Sequence, residues 1–102
     1  MNKEFLNEFL KQICDLSKHT SETEYVMDKA GVYSKGVILD DIIFEAQNLI
    51  KYGEYRIALE NTLENLNEVS ITLEKEIVEL ARQAFGQNIT KEMELLLSLL
   101  TK

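Results

Sequence analysis

The chain has 102 residues, 45% of them hydrophobic and 28% charged, with a formal net charge of −7. This is one domain with enough apolar content for a core of its own, so disorder is not indicated, and the acidic balance argues against direct nucleic-acid binding, since phosphate contact needs clustered lysine and arginine. The single cysteine excludes an internal disulfide, no apolar run approaches the roughly 18 residues of a membrane span, and MNKEFLNEF carries acids where a secretory signal is basic and then apolar.

Residues 2–18 read as a first helix. Phe5, Leu6, Phe9, Leu10, Ile13 and Leu16 recur at three- and four-residue spacing, while Glu4, Glu8, Lys11 and Asp15 lie outside that face. Cys14 sits in the same pattern and reads as a buried structural thiol. HTSETE then interrupts the pattern. Ser21 with Glu24 matches a capping box, so a short second helix is expected from Glu22 to Ala30, with Gly31 just past its end. Tyr25, Val26 and Met27 are its apolar content, and VYSKG is a connector.

A third helix is expected over Val37 to Tyr52, stopping at Gly53, with Leu39, Ile42, Ile43, Ala46, Leu49 and Ile50 on its buried face. Phe44 does not belong to that face. It projects about 160° from Ala46, near Asp40, Asp41, Asn48 and Lys51, so it is either covered by another segment or left for a partner.

The stretch from Gly53 to Glu68 is a fourth amphipathic helix. Tyr55, Leu59, Leu63 and Leu66 share one narrow sector, with Ala58 and Thr62 beside it, while Glu60, Glu64 and Glu68 form an acidic stripe well round from it. Like charges at this spacing cost a few tenths of a kcal/mol per pair in an isolated helix. The stripe is either a plain solvated face or a surface kept acidic for a basic partner. A fifth helix follows over Leu73 to Phe85. Thr72 is its cap, Leu73, Ile77, Leu80, Ala81 and Ala84 face inward, and Gly86 is its stop. QNIT is a turn, and Thr90 opens a last helix, KEMELLLSLL. Met93, Leu96, Leu97, Leu99 and Leu100 make that helix apolar over most of its circumference, so it is either buried deep in the bundle or forms a homodimer seam. The fold expected is all-α: a single compact bundle of five to six helices over residues 1–102, in the cytoplasm and without membrane contact.

Charge is unevenly spread. Residues 37–68 carry Asp40, Asp41, Glu45, Glu54, Glu60, Glu64 and Glu68 against only Lys51 and Arg56, and this third holds nearly all the excess. A basic protein is drawn to such a surface. Chemistry of the chain's own is not visible. His19 is the only histidine, no HExxH, ExxH or CxxC spacing occurs, and there is no glycine-rich phosphate loop or GxSxG elbow, so no metal and no cofactor is expected. Asp15 and His19 read as a surface pair or a helix-end histidine. Acid–base catalysis needs two acids in environments that separate their pKa values, whereas these acids line a wet helix face, so the chain reads as a non-enzyme.

From Ala46 to about Gly86 the sequence resembles the MafI-type immunity proteins of bacterial polymorphic-toxin and contact-dependent growth inhibition systems. The resemblance rests on LIKYGEYRIALENTLENLNEVSI: Leu49, Ile50, Gly53, Glu54, Tyr55, Ala58, Leu59, Glu60, Leu63, Leu66, Glu68 and Ile71 follow that family's order of glycine, acid, aromatic and an alanine–leucine–glutamate core. Asn67 and Val69 stand where the family tends to have aromatics, and Thr72, Leu73 and Glu74 where it often has a proline and a serine cap. The resemblance implies a small helical cytoplasmic protein that binds one cognate toxin domain and blocks it, and such toxins are often RNases or other nucleases with basic sites. On that implication the partner-binding residues expected are Asp40, Asp41, Phe44 and Glu45 from the third helix and Glu54, Glu60, Glu64 and Glu68 from the fourth. The alternative is a helical adaptor or regulatory subunit paired as a homodimer through its last helix.

Overall fold

The computed structural model describes residues 1–102. In chain order it contains α1 (Lys3–Lys18), β1 (Tyr25–Asp28), β2 (Gly31–Ser34), α2 (Lys35–Lys51), α3 (Tyr55–Glu68), α4 (Lys75–Phe85), a 3₁₀ turn (Gly86–Asn88) and α5 (Lys91–Leu100). The architecture is mostly helical with one small antiparallel hairpin, and is not purely all-α.

α1 begins where Asn2 accepts the Phe5 N–H on Oδ1 at 3.1 Å, which satisfies one of the orphan donors of a helix start. Its face of Leu6, Phe9, Leu10 and Ile13 is buried against α2 and α4, as its periodicity predicts. Cys14 is only half-buried, contrary to the buried thiol expected, because it lines a groove where α1 and α2 part.

Residues 22–30 do not form the expected second helix. The side-chain bonds of a capping box are partly present, since Glu24 Oε2 accepts from Ser21 N–H at 2.7 Å and Ser21 Oγ from Thr23 N–H at 3.2 Å. They close a turn instead of opening a helix. The segment beyond this turn is rich in residues that suit a pleated strand: Tyr25 and Val26 on one side, Val32 and Tyr33 on the other. Between them Asp28 Oδ1 accepts from the N–H groups of Ala30 (2.7 Å) and Gly31 (3.1 Å), the local bonding by which aspartate starts a tight turn. The strands then pair with Val26 opposite Tyr33 and Met27 opposite Val32.

α2 and α3 form an antiparallel pair joined at Gly53. There Gly53 N–H donates to Ile50 O and Glu54 N–H to Leu49 O, both at 2.9 Å, with Gly53 left-handed at φ 79°. This is the two-bond C-terminal cap that glycine favours. α3 ends the same way, through Ser70 N–H to Asn67 O (3.0 Å) and Ile71 N–H to Leu66 O (2.9 Å), with Ser70 at φ 57° in the glycine position. α4 starts two residues later than expected, after Glu74 and not Thr72, because Leu73 is held in extended form by the last residues of the chain: its N–H donates to Leu100 O at 2.7 Å and its O accepts from Lys102 N–H at 3.0 Å. α5 opens with Thr90 Oγ accepting the Met93 N–H. Met93, Leu96, Leu97 and Leu100 are buried, whereas Leu99 is 58% exposed beside an exposed Leu95. α5 is therefore half-covered. One core runs through all five helices, and Thr62, the buried polar side chain, donates to Ala58 O at 2.7 Å.

Candidate functional site

The excess of acid in the middle of the chain becomes a surface where the N-terminal half of α2, the C-terminal end of α3 and the hairpin turn meet. A groove of about 190 Å³ opens there. Ile38, Ile42 and Val69 form its apolar side, and Asp28, Asp41, Glu45 and Glu68 bring carboxylates to it from three separate elements, together with Asn65. No lysine or arginine lines it. Asp41, Glu45 and Glu68 are exposed and Asp28 is half-buried. Nowhere do three such side chains converge in metal-holding geometry; the acids are spread along the groove.

Tyr33 records the local field. Burial and then the negative charge of Asp28 push its phenol above the ordinary value of 10.0, and Glu68 adds to the rise. An extra negative charge at this spot is disfavoured by burial and by both carboxylates.

Phe44 is 66% exposed, so no other segment covers it. On α2 it lies about 60° from Asp41, on the side away from the groove floor. Glu64 is exposed one turn before Glu68 on α3 and extends the same acidic edge. The remaining predicted residues lie elsewhere. Asp40 turns about 100° from Asp41, toward α1, and accepts from Ser17 Oγ at 2.5 Å. Glu60 is paired with Arg56 at 3.7 Å, which also donates to Asn88 O at 3.0 Å. Glu54 precedes α3 at its far end, about 20 Å from Glu68 at 1.5 Å per residue. The acids of one helix stripe are thus distributed over different surroundings.

The hairpin contributes features that the helical reading of residues 22–30 could not supply. Asp28 reaches the groove, and Tyr25, Met27 and Val32 form an outer apolar face, exposed at 65%, 66% and 63%. Two β-rich triplets around an Asp-x-x-Gly turn were the available signal. A wider groove between α1 and α2, about 400 Å³, mixes Lys11 and Lys18 with Asp15 beside Cys14 and favours neither sign of charge. His19 Nδ1 lies 2.8 Å from Asp15 O, a bond to backbone and not to the carboxylate. No helix is long and apolar enough to cross a membrane. Compared with known protein families, characterised proteins and solved structures, the chain shows no match.

Proposed function

We propose that the protein is an immunity protein of the MafI type that neutralises a cognate toxin domain, a basic nuclease, by stoichiometric binding in the cytoplasm. One observation carries this reading: Asp28, Asp41, Glu45 and Glu68 come from three elements to a single groove that contains no base, next to an uncovered Phe44. Folding has gathered like charge that costs stability in the isolated protein, and a cationic partner relieves that repulsion. A nuclease site is positive because it must hold phosphates. An acidic surface laid on it steers the encounter and excludes the nucleic acid. The function is binding and not catalysis: three of the carboxylates share one water-exposed setting, and none is set apart in an apolar recess as a proton donor would need.

Phe44 is the apolar anchor, and its truncation to alanine should cost about 2 kcal/mol or more of binding. The test is to mix the purified chain with the toxin domain encoded beside its gene. A complex in equal proportions and loss of nuclease activity are expected; no complex at micromolar concentration would end the proposal. The homodimeric adaptor remains a second reading because Leu95 and Leu99 stand exposed one turn apart on α5. Sedimentation equilibrium separates the two, since the immunity reading expects a monomer.

A further inference from the structure

We infer that the outer face of the hairpin is the apolar half of this docking surface, and that it takes a polypeptide segment in which apolar side chains are interspersed with lysine or arginine. The inference rests on the reading of a basic partner and adds where that partner's apolar side chains seat.

Strand alternation gives the hairpin two faces. Val26 and Tyr33 turn inward, and Val26 packs on the core. The opposite face of a two-stranded hairpin on the outside of a domain is ordinarily polar. Here it carries Met27 directly across from Val32, with Tyr25 two residues along. Together these make a contiguous apolar patch, whereas Phe44 and Ile57 stand singly on their helices.

The patch and the acidic groove share a wall. Val69 borders the groove, and with Ser70 it also borders a hollow lined by Tyr25, Val26, Met27 and Val32. Asp28 follows Met27 in the same strand and reaches the groove. A segment seated on Met27 and Val32 therefore has carboxylates along one side, and neither hollow is lined by a cation. This charge complementarity selects the occupant: an acidic or neutral apolar segment meets repulsion or uncompensated carboxylates, whereas a basic one is matched.

The test is a titration of the full ¹⁵N-labelled chain with an alternating leucine–lysine peptide, with oligolysine of equal charge as the control. Saturable shifts should centre on residues 25–32 and 68–70, and oligolysine should bind at least about tenfold more weakly. The double variant Met27→Ser/Val32→Thr should lower peptide affinity by about tenfold with the rest of its spectrum unchanged. Shifts centred on α5 or on the α1–α2 groove, equal binding of oligolysine, or an unaffected double variant would each overturn the inference. Seating of the peptide on the hairpin without any complex with the neighbouring toxin domain would sink the immunity reading and leave this one standing. A toxin complex in which peroxide still oxidises Met27 as fast as in the free chain would do the reverse.

Discussion

Ser70 occupies a backbone position that glycine would hold at less cost. Both α2 and α3 end in the same two-bond cap, but α2 uses Gly53 at φ 79° and α3 uses Ser70 at φ 57°. A left-handed residue with a Cβ is strained by about 1–2 kcal/mol, offset in part by the larger unfolded-state entropy of glycine. Ser70→Gly should therefore raise stability by about 0.5–1 kcal/mol, seen as a rise of a few degrees in Tm. Gly53→Ala should lower it by about 1 kcal/mol. Urea denaturation of the two variants checks both signs, and a Ser70→Gly protein no more stable than the parent would show that the serine is not strained. Gly86, at φ 64° and ψ −139°, lies in a region that side chains other than glycine scarcely visit, and it ends α4 at the position its sequence predicts.

Elements in this protein are held by local signals or by distant ones, and only the first kind can be read along the chain. α1, α2, α3 and α5 were legible because apolar spacing, Gly53 and the Thr90 cap all lie within a few residues of the ends they set. The hairpin was not, because the Glu24 carboxylate accepts the Ser21 N–H here in a turn, the same bond that a capping box makes at a helix start. The start of α4 was illegible for another reason: Leu73 is held by Leu100 and Lys102, partners remote in sequence. In the site, Asp41, Glu45 and Glu68 were legible as acids on helix faces; Asp28, the third wall, depended on the hairpin. The α4–α5 junction is a further long-range device. Arg82 donates to Glu79 at 2.7 Å and to Glu94 at 2.8 Å, so one guanidinium clamps two helices. The bond from Arg82 is the main cause holding Glu79 below its ordinary value of 4.5. The folded state thus releases that proton more readily than the unfolded chain does. Its contribution is present above about pH 4.5 and is lost as pH falls through the lower folded value. Because the side chains are about half exposed, the contribution is below about 1 kcal/mol. Arg82→Gln should cost up to that amount at pH 7 and flatten the acid limb of the stability curve. Urea midpoints at pH 7 and pH 3 measure it, and an equal loss at both pH values would contradict the clamp.

At the scale of the whole molecule, the proposed function makes the net charge of −7 matter less than its address. Asp41, Glu45 and Glu68 face one groove, whereas Glu74, Glu76 and Glu92 are exposed on or beside α4 and α5, on other parts of the surface. Replacing either trio by lysine changes net charge by the same amount. If attraction acted only through total charge, the two triple variants would lose association rate equally. If it acts through the groove, the first should bind the toxin domain at least about tenfold more slowly, while the second stays within a few-fold of the parent. Salt separates the cases further. Raising ionic strength from about 0.01 to 1 M shortens the screening length from about 30 to 3 Å, so the parent's association rate should fall steeply and that of the groove variant should barely change. Phe44→Ala acts on the other limb: its loss should speed dissociation and leave the salt slope intact, because a desolvated aromatic contributes after the encounter and not before it. Stopped-flow mixing at several salt concentrations yields both rates. Parallel salt slopes for the two lysine trios would remove the groove from the account of binding and leave only a general acidity.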